Sequence, residues 1–382
     1  MDRAVRAGRY IQQPAGYKAF IPAPLPPRPA VVRDYELQQL LSYADRALGR
    51  LDGSIQTLPD EDLFVFMYVR KEAVLSSQIE GTQSSLNDVL EAEAKILDPH
   101  RPSDVKEVIN YVVAMRYGLD RLSELPVSVR LIKEIHGHLM KGVRGQTQQP
   151  GELRQSQNWI GPSGCTINEA IFVPPPVHEL SPALSEWERF VHGGSEFPAL
   201  LKIGLAHAQF ETIHPFLDGN GRVGRLLITF LLCERKILQK PVLYLSHYFR
   251  ANRSRYYDLL QNIRDNGDWE AWLKFFLKGI NDVAEEATAT ARRIVGLRET
   301  HRRVILDQFG RTAGNALQVL ETLYSRPIVS VNEIAELLEL SYPAANDLTR
   351  QFTKSGLLKE ITGQSRHRRF RYDAYVALFT PE

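Results

Sequence analysis

Of the 382 residues in this chain, one run concentrates side chains able to act on a phosphate ester: His214-Pro215-Phe216-Leu217-Asp218-Gly219-Asn220-Gly221-Arg222-Val223-Gly224-Arg225. A histidine, with an ordinary pKa near ~6.5, can take a proton from an attacking hydroxyl at neutral pH. His214 is that group here. Asp218 offers a hard carboxylate oxygen of the kind a Mg²⁺ takes while keeping waters and substrate phosphates on its other positions. Gly219 and Gly221 permit positive φ and close backbone approach, so that successive amides can converge on an anion. Arg222 and Arg225, three apart on a helix, share a face and can both reach phosphate oxygens. The run holds a base, a metal ligand and a phosphate cradle.

Two apolar helices must carry it. One spans Leu200 to Thr212 and ends where Pro215 pushes the preceding residue away from helical angles. The other spans Val223 to Lys236, and its N-terminus adds free amides and a favourable dipole beside the anion site. His207, Glu211 and His214 also recur at helical spacing, but HxxxExxH is not the zinc-protease pattern HExxH and GNGR has no role in zinc chemistry. His207 is therefore read as structural. Upstream, Ser76 and Glu80 lie four apart, facing one way from a helix over about 61–81 that Gly81 ends. An acid there sits at the wrong end of the helix dipole, at a cost of about 0.3–1 kcal/mol, so a partner elsewhere is expected.

The 214–225 run resembles the signature of the Fic family, HPFx(D/E)GNGRxxR, at every fixed position. The resemblance implies transfer of AMP from Mg-ATP to a Ser, Thr or Tyr hydroxyl of a protein, self-modification included. It implies His214 as general base, Asp218 on Mg²⁺ and the Gly219 to Gly221 amides on the phosphates. Phe216, Asn220 and Arg222 complete the nucleotide site, with Arg225 on the γ-phosphate and Tyr257 and Leu260 on the adenine side. It places a β-hairpin flap at about 160–176, after Pro150-Gly151-Glu152-Leu153-Arg154, where a target's extended segment adds as a strand. Ser76-Ser77-Gln78-Ile79-Glu80-Gly81 fits the same family's inhibitory pattern (S/T)xxxE(G/N), whose acid pairs with the residue that Arg225 matches. The expected function is an autoinhibited protein adenylyltransferase. Two alternatives stand beside it: removal of AMP using Glu80, and nucleotide-sensing transcriptional regulation.

The remainder of the chain fits a mainly α enzyme. Net charge is only +2, which gives no global argument for nucleic acid, and the two cysteines, Cys165 and Cys233, form no disulfide or zinc pattern. No apolar run approaches the roughly 20 residues of a membrane span and no secretory leader is visible, so a cytoplasmic, membrane-free location is expected. Residues 1–33 read as an arm whose proline cluster favours extended polyproline conformation, 34–310 as the Fic-type helical bundle, and 311–382 as a winged helix-turn-helix. In that last module Ser330 and Glu333 form a capping box. Tyr342, Asn346, Arg350 and Lys354 share a helix face, and Arg366, His367, Arg368, Arg369 and Arg371 load the wing. That face suits DNA or a protein partner. A homodimer is also expected from the resemblance.

Overall fold

The computed structural model describes residues 3–56, 58, 61–96, 102–143, 147–162, 164–194 and 197–380. An antiparallel hairpin opens the chain, β1 (Gly8–Gln12) with β2 (Lys18–Pro22), placing Tyr10 opposite Phe20. Helices α1 (Tyr35–Gln56), α2 (Glu61–Ile79), α3 (Leu86–Glu93), α4 (Val105–Arg121) and α5 (Val129–Leu139) follow. After a long irregular segment come α6 (Val177–His192), α7 (Ala199–Ile213), α8 (Asn220–Glu234), α9 (Ser246–Ala251), α10 (Arg253–Asn266) and α11 (Trp269–Gln308). Helix α11 buries Trp269, Trp272, Phe276, Ile280, Ala284, Ala287 and Ala291, a stripe at spacings of three and four. Against it lies α1, which buries Ala44, Ala47, Leu48, Leu51 and Ile55.

Helix α7 is buried at every position from Leu200 to Ile213, and α8 is buried from Arg222 to Leu232. Helices buried on every side, polar residues such as Lys202, His207 and Arg225 included, lie inside the fold. The loop 214–219 is thus strung between two central helices, which gives its polar groups a rigid mount. Helix α2 packs against α4 and α9 on one side of that pair.

The N-terminal arm is not simply extended polyproline. Phe20 and Ala19 are fully buried, Gly16 makes the turn at φ +93°, and the strand pairing uses backbone groups that polyproline would leave to water. The hairpin is fastened to the body: the Phe20 amide donates to the Val173 carbonyl at 2.9 Å, and Arg6 makes two 3.0 Å bonds to Glu270. The flap is a hairpin in reduced form. Among the described residues of 160–176 the pairing is a single antiparallel bridge, Ile160 to Phe172, and a short 3₁₀ turn, Ile167–Glu169, fills the tip. Glu169 closes a capping box on Thr166 there, which takes the chain out of strand geometry. Ser163 lies outside the described residues.

The C-terminal part runs α12 (Ala313–Ser325), β3 (Ile328–Ser330), α13 (Val331–Leu337), α14 (Tyr342–Lys354), β4 (Lys359–Glu360), β5 (Arg369–Arg371) and α15 (Asp373–Val376). Its strands order as β3-β5-β4, all antiparallel, an arrangement that fits a winged helix. Ser330 caps α13 as the sequence suggests, accepting from the Glu333 amide at 3.2 Å. This part rests on α2 and α3: the Phe379 ring meets Tyr68 edge-on at 5.6 Å, and Arg371 donates to Asn87 Oδ1 at 3.2 Å.

Candidate active site

His214 closes α7 in the left-handed region, φ 50° and ψ 62°, a conformation that costs a non-glycine residue energy and persists only where its surroundings fix it. They do so through the backbone. Arg154 Nε donates to the His214 carbonyl at 3.0 Å, the Arg154 amide donates to the Pro215 carbonyl at 3.0 Å, and Asn158 Nδ2 donates to the Phe216 carbonyl at 2.8 Å. Asn220 folds back on the same turn, accepting from the Phe216 amide and donating to the Phe216 carbonyl, both at 2.8 Å. The loop's shape is set by side chains that bond to its backbone.

His136 on α5 is another of these. Its Nδ1 accepts from the Gly151 amide at 2.9 Å, so the proton is on Nε2, which donates to the Asp218 carbonyl at 3.1 Å. The ring also stacks on Phe216, with centroids 3.8 Å apart and planes 9° from parallel. Gly219, at φ +78°, has no room for a side chain, since a Cβ would stand 2.9 Å from Met140 Sδ. Its amide donates to Asp218 Oδ1 at 2.6 Å, so one of the amides expected on the phosphates is engaged by the loop itself. Helix α8 begins at Asn220, leaving its first amides without intrahelical acceptors.

The two arginines are both buried and both paired with acids. Arg225 Nη2 meets Glu80 Oε1 at 2.7 Å, and Nε donates to Ser76 Oγ at 2.8 Å. Glu80 lies just past the end of α2 rather than in its last turn, because Gly81 at φ +97° swings the chain away. Its carboxylate occupies the space a side chain at Gly221 would fill. Arg222 Nη1 donates to Glu107 Oε2 on α4 at 3.1 Å, with both side chains under a tenth exposed, and its Nη2 lies 3.8 Å from Asp218 Oδ1.

These neighbours set the titration of the site. Burial pushes the His214 imidazole down to about 4, helped by the Arg264 and Arg154 charges and opposed by Glu80. His214 Nδ1 is 3.3 Å from the Glu211 carbonyl, which makes Nδ1 the protonated nitrogen and leaves Nε2 with the lone pair. Burial alone would raise the Glu80 carboxyl, but the charge and hydrogen bond of Arg225 hold it below its ordinary value. Two further acids lie beneath. Burial lifts Glu211 and Glu72 each to about 7, although Arg225 pulls both down.

The two residues expected on the adenine side differ in exposure. Tyr257 stays 39% exposed, but Leu260 is taken into the core with Tyr256 and Ile263 by the 3–4 spacing of α10. His207 is structural: it donates from Nδ1 to the Gly224 carbonyl at 2.9 Å and accepts from Tyr256 at 3.0 Å. No group of three or more metal-binding side chains occurs among the described residues. Asp218 fits a Mg²⁺ held by one carboxylate plus phosphates and water, its side chain being 42% exposed beside the α8 N-terminus. His136, Arg154, Asn158 and Glu107 were missed as site residues. Apart from Arg154, which ends the Pro150–Arg154 run before the flap, their sequence signal is polarity on an otherwise apolar helix face or in a loop.

Residues 38–120 match the Fic/DOC family N-terminal domain, and residues 126–232 match the Fic/DOC family. The chain is 28% identical over 198 residues to a protein adenylyltransferase Fic of Drosophila ananassae, covering 51% of this chain and 35% of that protein. Its counterpart in Drosophila yakuba is 26% identical over 251 residues, covering 63% of this chain and 45% of that one. The match thus spans less than half the length of either relative. A Fic family protein from Desulfovibrio desulfuricans superposes on 90% of this chain and 97% of its own, with TM-score 0.59 and 18% identity. A Fic domain containing signaling protein from Bacteroides thetaiotaomicron covers 67% of this chain and 95% of its own, with TM-score 0.52 and 18% identity. Those two share the fold. Among the described residues, no helix is long and apolar enough to cross a membrane.

Proposed function

Because this chain belongs to the Fic/DOC family, we propose that it transfers AMP from Mg-ATP to a hydroxyl side chain of a protein, and that the Glu80–Arg225 pair restrains that transfer. The observation that carries the first half is the fixed His214 tautomer, with Nδ1 committed to the Glu211 carbonyl and the Nε2 lone pair left as the base. The target hydroxyl loses its proton to Nε2 as its oxygen bonds to the α-phosphorus; the bond from that phosphorus to the bridging oxygen breaks, and pyrophosphate leaves. The triphosphate's negative charge favours the protonated imidazole, offsetting the burial that holds it down in the free protein. A Mg²⁺ held by Asp218 would supply charge neutralisation for the phosphates. Arg222 and the first amides of α8 then orient them, and Arg225 reaches the γ-phosphate only after leaving Glu80.

Incubation of wild type, Glu80→Gly and Glu80→Gly/His214→Ala with Mg²⁺ and ATP labelled at the α- or the γ-phosphate tests this on lysate proteins. Label from the α position, strongest in Glu80→Gly and lost without His214, is the expected result. Transfer of γ-label would make the protein a kinase and refute the reading. A second activity is favoured by one contact: Arg368 Nη2 donates to Asn346 Oδ1 at 2.7 Å, setting the wing and α14 on one surface with exposed Arg350, Lys354, Arg366 and His367. We propose duplex DNA as its partner. Binding that shows no decline with salt, or survives Arg350→Ala/Lys354→Ala/Arg366→Ala unchanged, refutes it.

A further inference from the structure

One buried cation beside the site has no role in the chemistry above. Arg264, on α10, sends its guanidinium into the end of α7: Nη2 donates to the Glu211 carbonyl and Nε to Thr212 Oγ1, both at 3.3 Å, while Nη1 donates to Gln261 Oε1 at 3.2 Å. Its flat face lies against the Phe172 ring, 3.7 Å from the centroid. The Glu211 carbonyl is the same oxygen that accepts from His214 Nδ1. The proposed base and the buried arginine therefore meet at one atom, and the arginine's other side carries the flap residue that bridges to Ile160.

We infer that Arg264 is a positioning residue that ties the flap to the general base, orienting His214 through the shared Glu211 carbonyl and seating Phe172. This rests on His214 acting as the base. Two cations face the imidazole, Arg264 from α10 and Arg154 from the segment before the flap. One acid, Glu80, opposes them from the end of α2, while Glu211 contributes its backbone carbonyl from α7. Arg264 itself faces Glu211 on α7, Tyr10 on β1, and Tyr256 and Asp265 on its own helix. Glu211 Oε1 has no hydrogen-bond partner among the described residues, so its carboxyl does not clamp the guanidinium. The backbone oxygen, Thr212 and the aromatic face do. A guanidinium suits this because one plane serves two acceptors at its edge and a ring on its face, which an ammonium cannot do.

The test uses the full chain in the Glu80→Gly background with Arg264→Met or Arg264→Lys added. AMP transfer is followed against pH at saturating Mg-ATP, and His214 is titrated by NMR in the free protein, its signal identified by loss in His214→Ala. Arg264→Met removes the charge, so the His214 pKa and the acid limb of the rate profile should rise by about one unit. Arg264→Lys keeps the charge and loses the plane. It should leave that pKa near the parent's while raising KM for the target several-fold, with nucleotide affinity unchanged. An unmoved His214 pKa in Arg264→Met, or a parent-like KM in Arg264→Lys, overturns the inference. Should Arg264→Met not fold, the Arg264→Lys KM and pKa decide. Should Glu80→Gly show no His214-dependent transfer, the functional reading fails, while the NMR titration still judges the link between Arg264 and His214.

Discussion

Replacing Glu80 with glycine should raise AMP transfer by one to two orders of magnitude. The pair it removes is asymmetric: the Arg225 side chain is 2% exposed and that of Glu80 34%, at 2.7 Å. A fully exposed pair is worth about 0–1 kcal/mol, and breaking a fully buried one costs about 3–5 kcal/mol. With one end open to screening by water, about 2–3 kcal/mol is the reasonable value, which corresponds to roughly a 30- to 150-fold change in the fraction of molecules whose Arg225 is free. Arg225 should not collapse when Glu80 leaves, because Ser76 still accepts from Nε at 2.8 Å and its carbonyl from Nη2 at 3.0 Å. The gain should therefore appear in kcat/KM. Glu80→Gln, which keeps an acceptor and loses the charge, should fall between. The assay is the initial rate of α-label incorporation into a fixed lysate, with circular dichroism to confirm the fold. A change below about threefold in Glu80→Gly would refute the claim that an ion pair of this burial competes with the γ-phosphate. So would equal salt sensitivity in the two proteins, since only wild type has a half-open pair for salt to weaken.

Other perturbations follow from the same geometry. Glu72 has a native pKa of about 7 against 4.5 when unfolded, so between these values the native state holds a proton the unfolded state has lost, and stability must fall as pH rises. Glu72→Gln should therefore be more stable than wild type in urea by up to about 3 kcal/mol at pH 8 and nearly equal to it at pH 4.5; equal differences at both would contradict this. His214 has the opposite sense: its depressed pKa of about 4 means stability is lost as pH falls from about 6.5. Gly219→Ala forces an alanine to φ +78° with its Cβ against Met140, and should cost about 1–2 kcal/mol while weakening ATP binding; an unchanged Tm and Kd would exclude it. Glu107→Gln leaves the buried Arg222 without its strongest counter-charge, costing about 3–5 kcal/mol in the free protein. Because phosphates can replace that charge, Mg-ATP should raise Tm more in Glu107→Gln than in wild type, and an equal rise would show that Arg222 does not meet the nucleotide.

What the sequence disclosed was whatever is encoded within a few residues. The loop 214–225 was legible because its base, glycines and arginines sit at fixed offsets between two apolar helices. The Ser76 and Glu80 pairing and the Ser330 cap were legible because helix geometry fixes spacings of four and three. The supports of the loop were not. His136, Arg154 and Asn158 act on residues 56 to 82 positions away, and even the Pro150–Arg154 run does not tell that Arg154 reaches the His214 carbonyl. β3 escaped notice for the same reason: three residues become a strand only by pairing with β5, some forty residues on. The flap was legible only in outline: the apolar run Ala170-Ile171-Phe172-Val173 suits a strand and Phe172 does bridge to Ile160, but the Thr166 and Glu169 cap diverts the intervening chain into a turn. For Leu260 the pattern was ambiguous, because an apolar residue one turn from a tyrosine fits a ligand wall and a core stripe equally well.

The free protein pairs both arginines of the 214–225 loop and helix with acids. Arg225 is met by an acid from the end of α2 and Arg222 by one from α4, so two different elements supply the negative charge that a nucleotide would bring. These pairs differ in how far water reaches them. Glu107 is 7% exposed and shares a buried bridge, so it can stay beside Arg222 while phosphate oxygens add to the other guanidinium edge. Glu80 is a third exposed, follows the end of its helix, and adjoins a glycine at φ +97°, so it can swing into solvent at little backbone cost. The two acids therefore have different work. Glu107 holds a buried arginine in place, and under the proposed function Glu80 would be the acid that yields, which would put control of the site at the α2 terminus, a helix whose Tyr68 packs on Phe379 of the C-terminal part.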